Sequence, residues 1–340
     1  TYDADAKVTG TCLAETVLRS SKRLTYRQAQ DVIDGKSIEG VGKKVAKLLH
    51  DLHGLARRIE RRRREAGMLH LDLPEVELVF DAEDNVVDAH PEDPEYTHTI
   101  IEMFMVEANE AVARTLDRAD VRYLRRVHPD PDPMAGGQLQ TFCRACGHRL
   151  PKELSREAIQ GLLAAVKGKP ESYAVNLAVL KTFQQAEYSP MTVGHFALAS
   201  KAYCHFTSPI RRYPDLTVHR LVSRHCRGRL DEVQPQDLSA LTQLGTHCTA
   251  TERRSEGAER ELREVLVLQY LATQVGETYE GVITGVTNFG LFVELTRFLV
   301  DGLVRMKDLG DDWWELERRT GCLRGQRTGK RHRIGDTMQV

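Results

Sequence analysis

From Glu39 to Ala66 the apolar residues Val41, Val45, Leu48, Leu49, Leu52, Leu55 and Ile59 recur at helical spacing. That stripe predicts a helix ending at Gly67. A stronger amphipathic helix is predicted over 96–119, "YTHTIIEMFMVEANEAVARTLDRA". Shorter helices are expected at 23–36, 153–166 and 174–186, and residues 238–274 read as one long helix or two in line. Period-two alternation predicts a strand pair or long strand over 6–21 and strands around an Asp-Asn turn within 69–90. The proline-rich "RVHPDPDPMAGGQ" (126–138) is expected to be a loop. After Gly276 the texture changes to short alternating runs punctuated by glycines, as in a small antiparallel barrel, so a domain boundary is placed near residue 274.

A chain of 340 residues suggests roughly two domains. With 41% hydrophobic and 29% charged residues it reads as a folded globular protein. No run of 18 apolar residues occurs and the opening residues lack a signal-peptide pattern, so a cytoplasmic location and no membrane partner are expected. Seven scattered cysteines do not form a disulfide framework. Cys143, Cys146 and His148 invite a zinc reading, but no second Cys or His pair lies nearby at finger spacing. Asp81, Glu83, Asp84 and Asp88 read as turn residues before metal ligands. Both ends look cut, since the chain starts at Thr1 and stops as a strand pattern begins; a piece of a longer protein is expected.

The net charge of −1 conceals clusters of arginine at 56–67, 209–229 and 317–333. The first reads as a solvated helix face, and the others suit a polyanion. In "HFTSPIRRYPDLTVHR" (205–220), Ser208 can cap a turn with Pro209 at its first position, and Pro214 with Asp215 suit the next helix start. Arg211 and Arg212 are then fixed between two helix starts, suited to bidentate phosphate contact. The competing reading pairs them with carboxylates such as Asp215 or those near Glu252; it is favoured for Arg212, while for Arg211 the two readings are balanced. In "GVITGVTNFGLFVEL", Phe289 and Phe292 flank Gly290. Such aromatics stack bases in OB barrels, yet alternation puts the two on opposite faces unless a bulge intervenes.

"AYCHFTSPIRRYPDLTVHR" resembles the signature of the ribonuclease II / ribonuclease R family of processive 3′→5′ exoribonucleases, on its ribonuclease R side. "LARRIERRRREAGMLHLDLPEVEL", "IIEMFMVEANEAVA", "LRRVHPDPDP", "GHFALASKAYCHF" and "CTATERRSEGAERE" match in the same order. "YEGVITGVTNFGLFVEL…VDGLVRMKDL" resembles the S-one-type OB-fold domain. The resemblance implies an α+β fold: part of an RNB-type catalytic domain, a mixed sheet surrounded by helices, over 1–274. A small OB-fold barrel lacking its last strand follows over 275–340.

It also implies metal-assisted hydrolysis of single-stranded RNA to nucleoside 5′-monophosphates. Arg211 would bind the scissile phosphate and Glu259 would lie near the cleavage point or product. Tyr203, His205, Thr207, Ser208 and Arg212 would line or shape the channel, with Glu102 a weaker candidate near the 3′ nucleotides. Phe289 and Phe292 would stack bases, and Arg305 and Lys307 would contact phosphates. The family's Asp-rich motif for Mg²⁺ is absent and expected upstream of Thr1, so this piece alone is expected to be inactive. Two further departures are Leu71 and Arg125, where aromatics occur in the family. A monomer is expected, with RNA-decay or ribosome-associated partners. The alternatives are an inactive homologue kept as an RNA-binding module, and a scaffold, which leaves the arginine turn without a purpose.

Overall fold

The structure, a computed structural model, describes all residues except 75, 84, 92–95, 233–236 and 318–320. Its helices are α1 (Tyr26–Ile33), α2 (Lys43–Glu65), α3 (Tyr96–Arg118), α4 (Pro133–Ala145), α5 (Arg156–Val166), α6 (Ser172–Leu180), α7 (Tyr213–Cys226) and α8 (Leu238–Ala272). The strands are β1 (Val76–Phe80), β2 (Val86–Pro91), β3 (Arg125–Val127), β4 (Glu187–Ser189), β5 (Glu280–Val286), β6 (Gly290–Leu295), β7 (Asp301–Arg305), β8 (Trp314–Glu317), β9 (Cys322–Gly325), β10 (Arg331–His332) and β11 (Thr337–Gln339). They fall into two compact units. One holds residues 1–69, 93–129 and 185–253; the other holds 70–92, 130–184 and 254–340, so the division falls within α8.

In the first unit α3 serves two cores. Ile100 and Met103 pack with Ala56, Ile59 and Met68, while Val112, Ala113 and Leu116 pack with Tyr123, Cys204 and the α7 residues Val218, Leu221 and Val222. Burying each of the Val, Leu, Ile and Met side chains among them contributes about 1.5–3 kcal/mol. The amphipathic pattern of α3 is broken by polar residues on its buried side, Glu107, Asn109 and Glu110. Two of them bind α2. Arg63, 5% exposed, donates from Nε to Glu107 at 2.6 Å and from Nη2 to Glu110 at 2.9 Å, and Arg62 donates to Glu107 at 2.5 Å. The arginine run of α2 is therefore only partly the solvated face that spacing suggested. Arg57, Arg58, Arg61 and Arg64 are exposed, but Arg63 and half-buried Arg62 sit in an ion cluster. Such a cluster holds because each charge is matched and hydrogen-bonded, which offsets desolvation.

Two expectations fail for identifiable reasons. Residues 10–21 form no strand, because an alternating run needs a partner ladder. The segment is held through side chains instead: Leu13 packs into the α7 core, and Ser223 donates to Glu15 at 2.6 Å. Residues 126–138 are not all loop. Arg125–Val127 pairs with β4, and α4 begins at Pro133, where Asp132 accepts from Met134 N at 2.8 Å. Proline at the first helical position is compatible with a helix start. Helix α6 also ends at Leu180, short of residue 186.

The second unit contains a helical group, α4 to α6, and the barrel strands. Strand order in the larger sheet is β11-β5-β6-β7, and in the smaller β10-β9-β8. In β6, Leu291 and Val293 are buried beside Ile283 and Leu323 while Phe292 faces out; the alternation ends at Glu294, which is buried as well. The β1–β2 hairpin turns where expected, Asp81 accepting from the amides of Glu83 (3.0 Å) and Asn85 (2.8 Å). Asp84 lies outside the described residues.

Within this unit α6 and β6 meet at one polar contact. Tyr173 donates to the carboxylate of Glu294 at 2.8 Å, and Glu294 is buried. Burial lifts that carboxyl from near 4.5 to about 7, with Asp301 adding to the rise against the Tyr173 hydrogen bond and Lys181. Because the folded value lies above the unfolded one, the associated stability is complete below about pH 4.5 and is lost as pH rises through 7. Glu294→Gln is expected to remove that loss. Urea unfolding from about pH 5 to 8 should show wild type losing up to about 3 kcal/mol that the variant does not; parallel curves would contradict the assignment.

Candidate functional site

The segment 203–215 is built as a pinned turn. Asn109 of α3, itself buried, donates to the Tyr203 hydroxyl at 3.0 Å and accepts from Phe206 N at 2.9 Å. Phe206 stacks on His219 at 4.1 Å between centroids, and His219 Nε2 lies 2.8 Å from the Phe206 carbonyl. Ser208 then closes the turn through its backbone, its carbonyl accepting from Arg211 N at 3.3 Å and Arg212 N at 3.1 Å. The expected hydroxyl cap is not made among the described residues; the Ser208 amide donates instead to Asp215 Oδ1 at 2.8 Å. Asp215 has no exposed surface and sits in the first turn of α7, near its positive end. It also accepts two bonds from Arg212, Nε at 2.8 Å and Nη2 at 2.7 Å.

The two arginines are thereby separated. Arg212 is a structural fork on a buried carboxylate, as the competing reading held. Arg211 is exposed and forms no ion pair among the described residues. Tyr203 is 7% exposed, so it shapes the turn from behind and does not line an open surface. Thr207 and Ser208 are half-buried. His205 Nδ1 lies 2.9 Å from the Tyr188 hydroxyl. Burial lowers the His205 imidazole to about 2 and so keeps it neutral, with the Arg212, Arg126 and Arg211 guanidiniums pushing the same way. Glu102 lies on α3 in the same unit and is half-buried.

In the second unit, Phe289 (53% exposed) and Phe292 (37%) lie edge to face with centroids 6.1 Å apart. Both are accessible on one side because Phe289 precedes β6 and escapes its alternation. Gly290 is required beside them, since a Cβ there would collide with the Val304 carbonyl oxygen. Arg305 is tied to Asp308 at 2.9 Å, whereas exposed Lys307 has no acidic partner among the described residues. Glu259, on the α8 portion belonging to this unit, is exposed and paired with Arg263 at 3.1 Å.

Of the other candidates, Cys143 and Cys146 are raised by burial to about 12 and about 11, which keeps both thiols protonated, and His148 Nε2 lies 3.2 Å from Glu171. Arg125 donates to Asp117 at 2.5 Å and lies over the Tyr123 ring, so it does not substitute for a base-stacking aromatic. Asn109, Tyr188 and Glu252 were not singled out as site residues from the sequence. For Asn109 a signal existed: a polar residue on the buried side of an otherwise apolar helix.

A family model for the RNB domain matches residues 1–228, more than half of the chain. The chain belongs to the RNB family. An S1 RNA binding domain model matches residues 273–340 after the RNB part. The chain is 37% identical to the ribonuclease R of Aquifex aeolicus, covering all of this chain and 48% of that protein. It is 34% identical to that of Thermotoga maritima, covering 99% and 48%. The solved ribonuclease R of Mycoplasma genitalium, in complex with ribose-methylated single-stranded RNA, superposes with a TM-score of 0.81 at 28% identity, covering 92% of this chain and 50% of that one. The chain thus spans about half the length of these relatives. In fold it is mixed α and β, an RNB domain followed by an OB-type S1 domain.

Asp215→Ala is expected to leave the Arg212 guanidinium and the Ser208 amide unpaired, costing about 3–5 kcal/mol as when one partner of a buried pair is removed. Chemical unfolding measures it; a cost below about 1 kcal/mol would show that the turn does not depend on this carboxylate.

Proposed function

We propose that the protein carrying this chain is a 3′→5′ exoribonuclease that takes single-stranded RNA 3′ end first and releases nucleoside 5′-monophosphates. The observation that carries the reading is Arg211, a guanidinium with no ion pair among the described residues, on a turn whose Ser208 amide and Arg212 fork are both held by Asp215. Two parallel N–H donors match two phosphate oxygens, and a guanidinium there favours charge that shifts onto those oxygens during hydrolysis. The relatives named ribonuclease R support the reaction class. The solved relative with single-stranded RNA supports the substrate class.

In this reading Phe289 and Phe292 stack bases, each worth about 1–3 kcal/mol. Lys307, with exposed Lys330, Arg331 and Arg333, contacts phosphates, and Arg305 joins them when it releases Asp308. Thr207, Ser208 and His205 border the strand, while Tyr203 and Arg212 hold them in place. Glu259 and Glu102 are assigned to the reacting end on the resemblance alone.

Divalent metal is the cofactor that the reading requires. Among the described residues no three His, Cys, Asp or Glu side chains are grouped to hold one, so the residues present do not fit a metal centre and no step is derived through it. All seven cysteines are free thiols, in keeping with a cytoplasmic setting. The reading of an inactive RNA-binding homologue is not favoured by relatives that bear the enzyme's name.

Purified residues 1–340 are expected to bind oligo-A with a log–log salt slope of about 0.7 per phosphate neutralised, and to release no mononucleotides with Mg²⁺. A flat salt response would remove the phosphate-binding reading. In the natural protein that carries the chain, Arg211→Ala is expected to lower turnover about 10²–10³-fold, as for loss of one donor to developing charge. RNA affinity should change by less than about tenfold, or about 1.4 kcal/mol of binding free energy. Collapse of binding with unchanged turnover per bound RNA would assign Arg211 to affinity alone.

A further inference from the structure

Behind the arginine turn, four side chains of the same unit form a chain of contacts. Strands β3 and β4 pair Arg126 with Tyr188 across the ladder. The Arg126 guanidinium lies over the Tyr188 ring at 4.6 Å and donates to Glu252 Oε2 at 2.6 Å. The Tyr188 hydroxyl has one proton and two acceptors in reach, the other Glu252 oxygen at 3.4 Å and His205 Nδ1, closer at 2.9 Å. The Tyr188 amide is fixed in turn by Thr249 of α8, at 2.9 Å. Tyr188 is 5% exposed, and its phenol is raised by burial and then by Glu252, so it stays a donor.

His205 Nε2 has no hydrogen-bond partner among the described residues and is not among the buried unpartnered atoms. It is therefore the nitrogen of this ring that a ligand can reach. A neutral imidazole carries its proton on one nitrogen only, and the hydrogen bond made by the other decides which.

We propose that Tyr188 is a positioning residue: by donating to His205 Nδ1, with Glu252 and Arg126 fixing its place, it sets the proton on Nε2 and turns His205 into a neutral donor for an RNA phosphate oxygen beside Arg211. This rests on the exoribonuclease reading for the identity of the ligand, but the tautomer does not. A neutral donor suits a position already crowded with positive charge. It adds a directional hydrogen bond where a second cation would be repelled by Arg126, Arg211 and Arg212, the groups around this ring.

The test is made on residues 1–340. Side-chain ¹⁵N–¹H correlation spectra, with His205 signals assigned by their loss in His205→Ala, should show the proton on Nε2 in the wild type and redistribution between the nitrogens in Tyr188→Phe. The same Tyr188→Phe should weaken oligo-A binding about 3–10-fold, as for one hydrogen bond. In a His205→Ala background it should weaken binding no further, which a merely structural tyrosine would not show. A wild-type proton on Nδ1 overturns the proposal, even with RNA binding intact. So does full affinity in Tyr188→Phe, or additive losses in the double variant. Absence of oligo-A binding by the wild type removes the exoribonuclease reading, and the phosphate role of His205 with it.

Discussion

A carboxylate with no exposed surface organises the arginine turn. Asp215 accepts from the Ser208 amide and from both arms of the Arg212 fork, and its place in the first turn of α7 adds the positive helix end. Burying such a charge is costly unless its lone pairs are filled. Here they are filled by Ser208 and Arg212, both earlier in the same turn, which ties its start to the first turn of α7. That closure has a chemical consequence: once Arg212 is committed to Asp215, the adjacent Arg211 is held at its backbone, and its tip has no ion-pair partner among the described residues. One residue of the pair makes the structure and the other is available to a ligand.

The same division recurs along α3. Its apolar residues fill two cores, and its buried polar residues hold neighbouring segments in register. Glu107 and Glu110 take Arg62 and Arg63 from α2, and Asn109 takes the Phe206 amide and the Tyr203 hydroxyl. A hydrophobic interface alone tolerates small slips, whereas a buried hydrogen bond does not, because a slip leaves an unmet donor or acceptor. Polar groups in this helix therefore carry geometry from the core to the loop that presents Arg211.

Much of this was legible in the residues. The helical stripe of α2, the length of α8, the alternation in β6 and the Pro-Asp start of α7 follow from local periodicity and capping, which a sequence states directly. What it could not state were contacts whose partners lie far apart along the chain. Glu15 with Ser223 lies across 208 residues, and Arg126 with Glu252 across 126. The alternating run at 6–21 looked like a strand pair or long strand because alternation says nothing of whether a second strand is at hand. The proline-rich passage looked like a loop because proline was read as a breaker, whereas at the first helical position, behind an Asp cap, it starts α4. Phe289 and Phe292 were left undecided by spacing, and the start of β6 at Gly290 settled them on one side.

Charge placement around the turn follows one rule. Arg126, Arg211 and Arg212 lie near a single imidazole, and two of these three guanidiniums are neutralised, by Glu252 and by Asp215. Were all three free, their mutual repulsion would favour an open, mobile loop, and any anion would be drawn to several geometries. With two matched, the field near the turn is dominated by Arg211, and the neutral His205 beside it adds direction without adding charge. In the proposed exoribonuclease reading, a site that holds a phosphate while the strand moves past it would gain from that arrangement. There one contact would align the reacting group, and pairing Arg126 and Arg212 with carboxylates would keep the anion from being trapped. Positional fixity and modest attraction are opposed in a simple cluster of arginines; here they are reconciled by spending carboxylates on the neighbours.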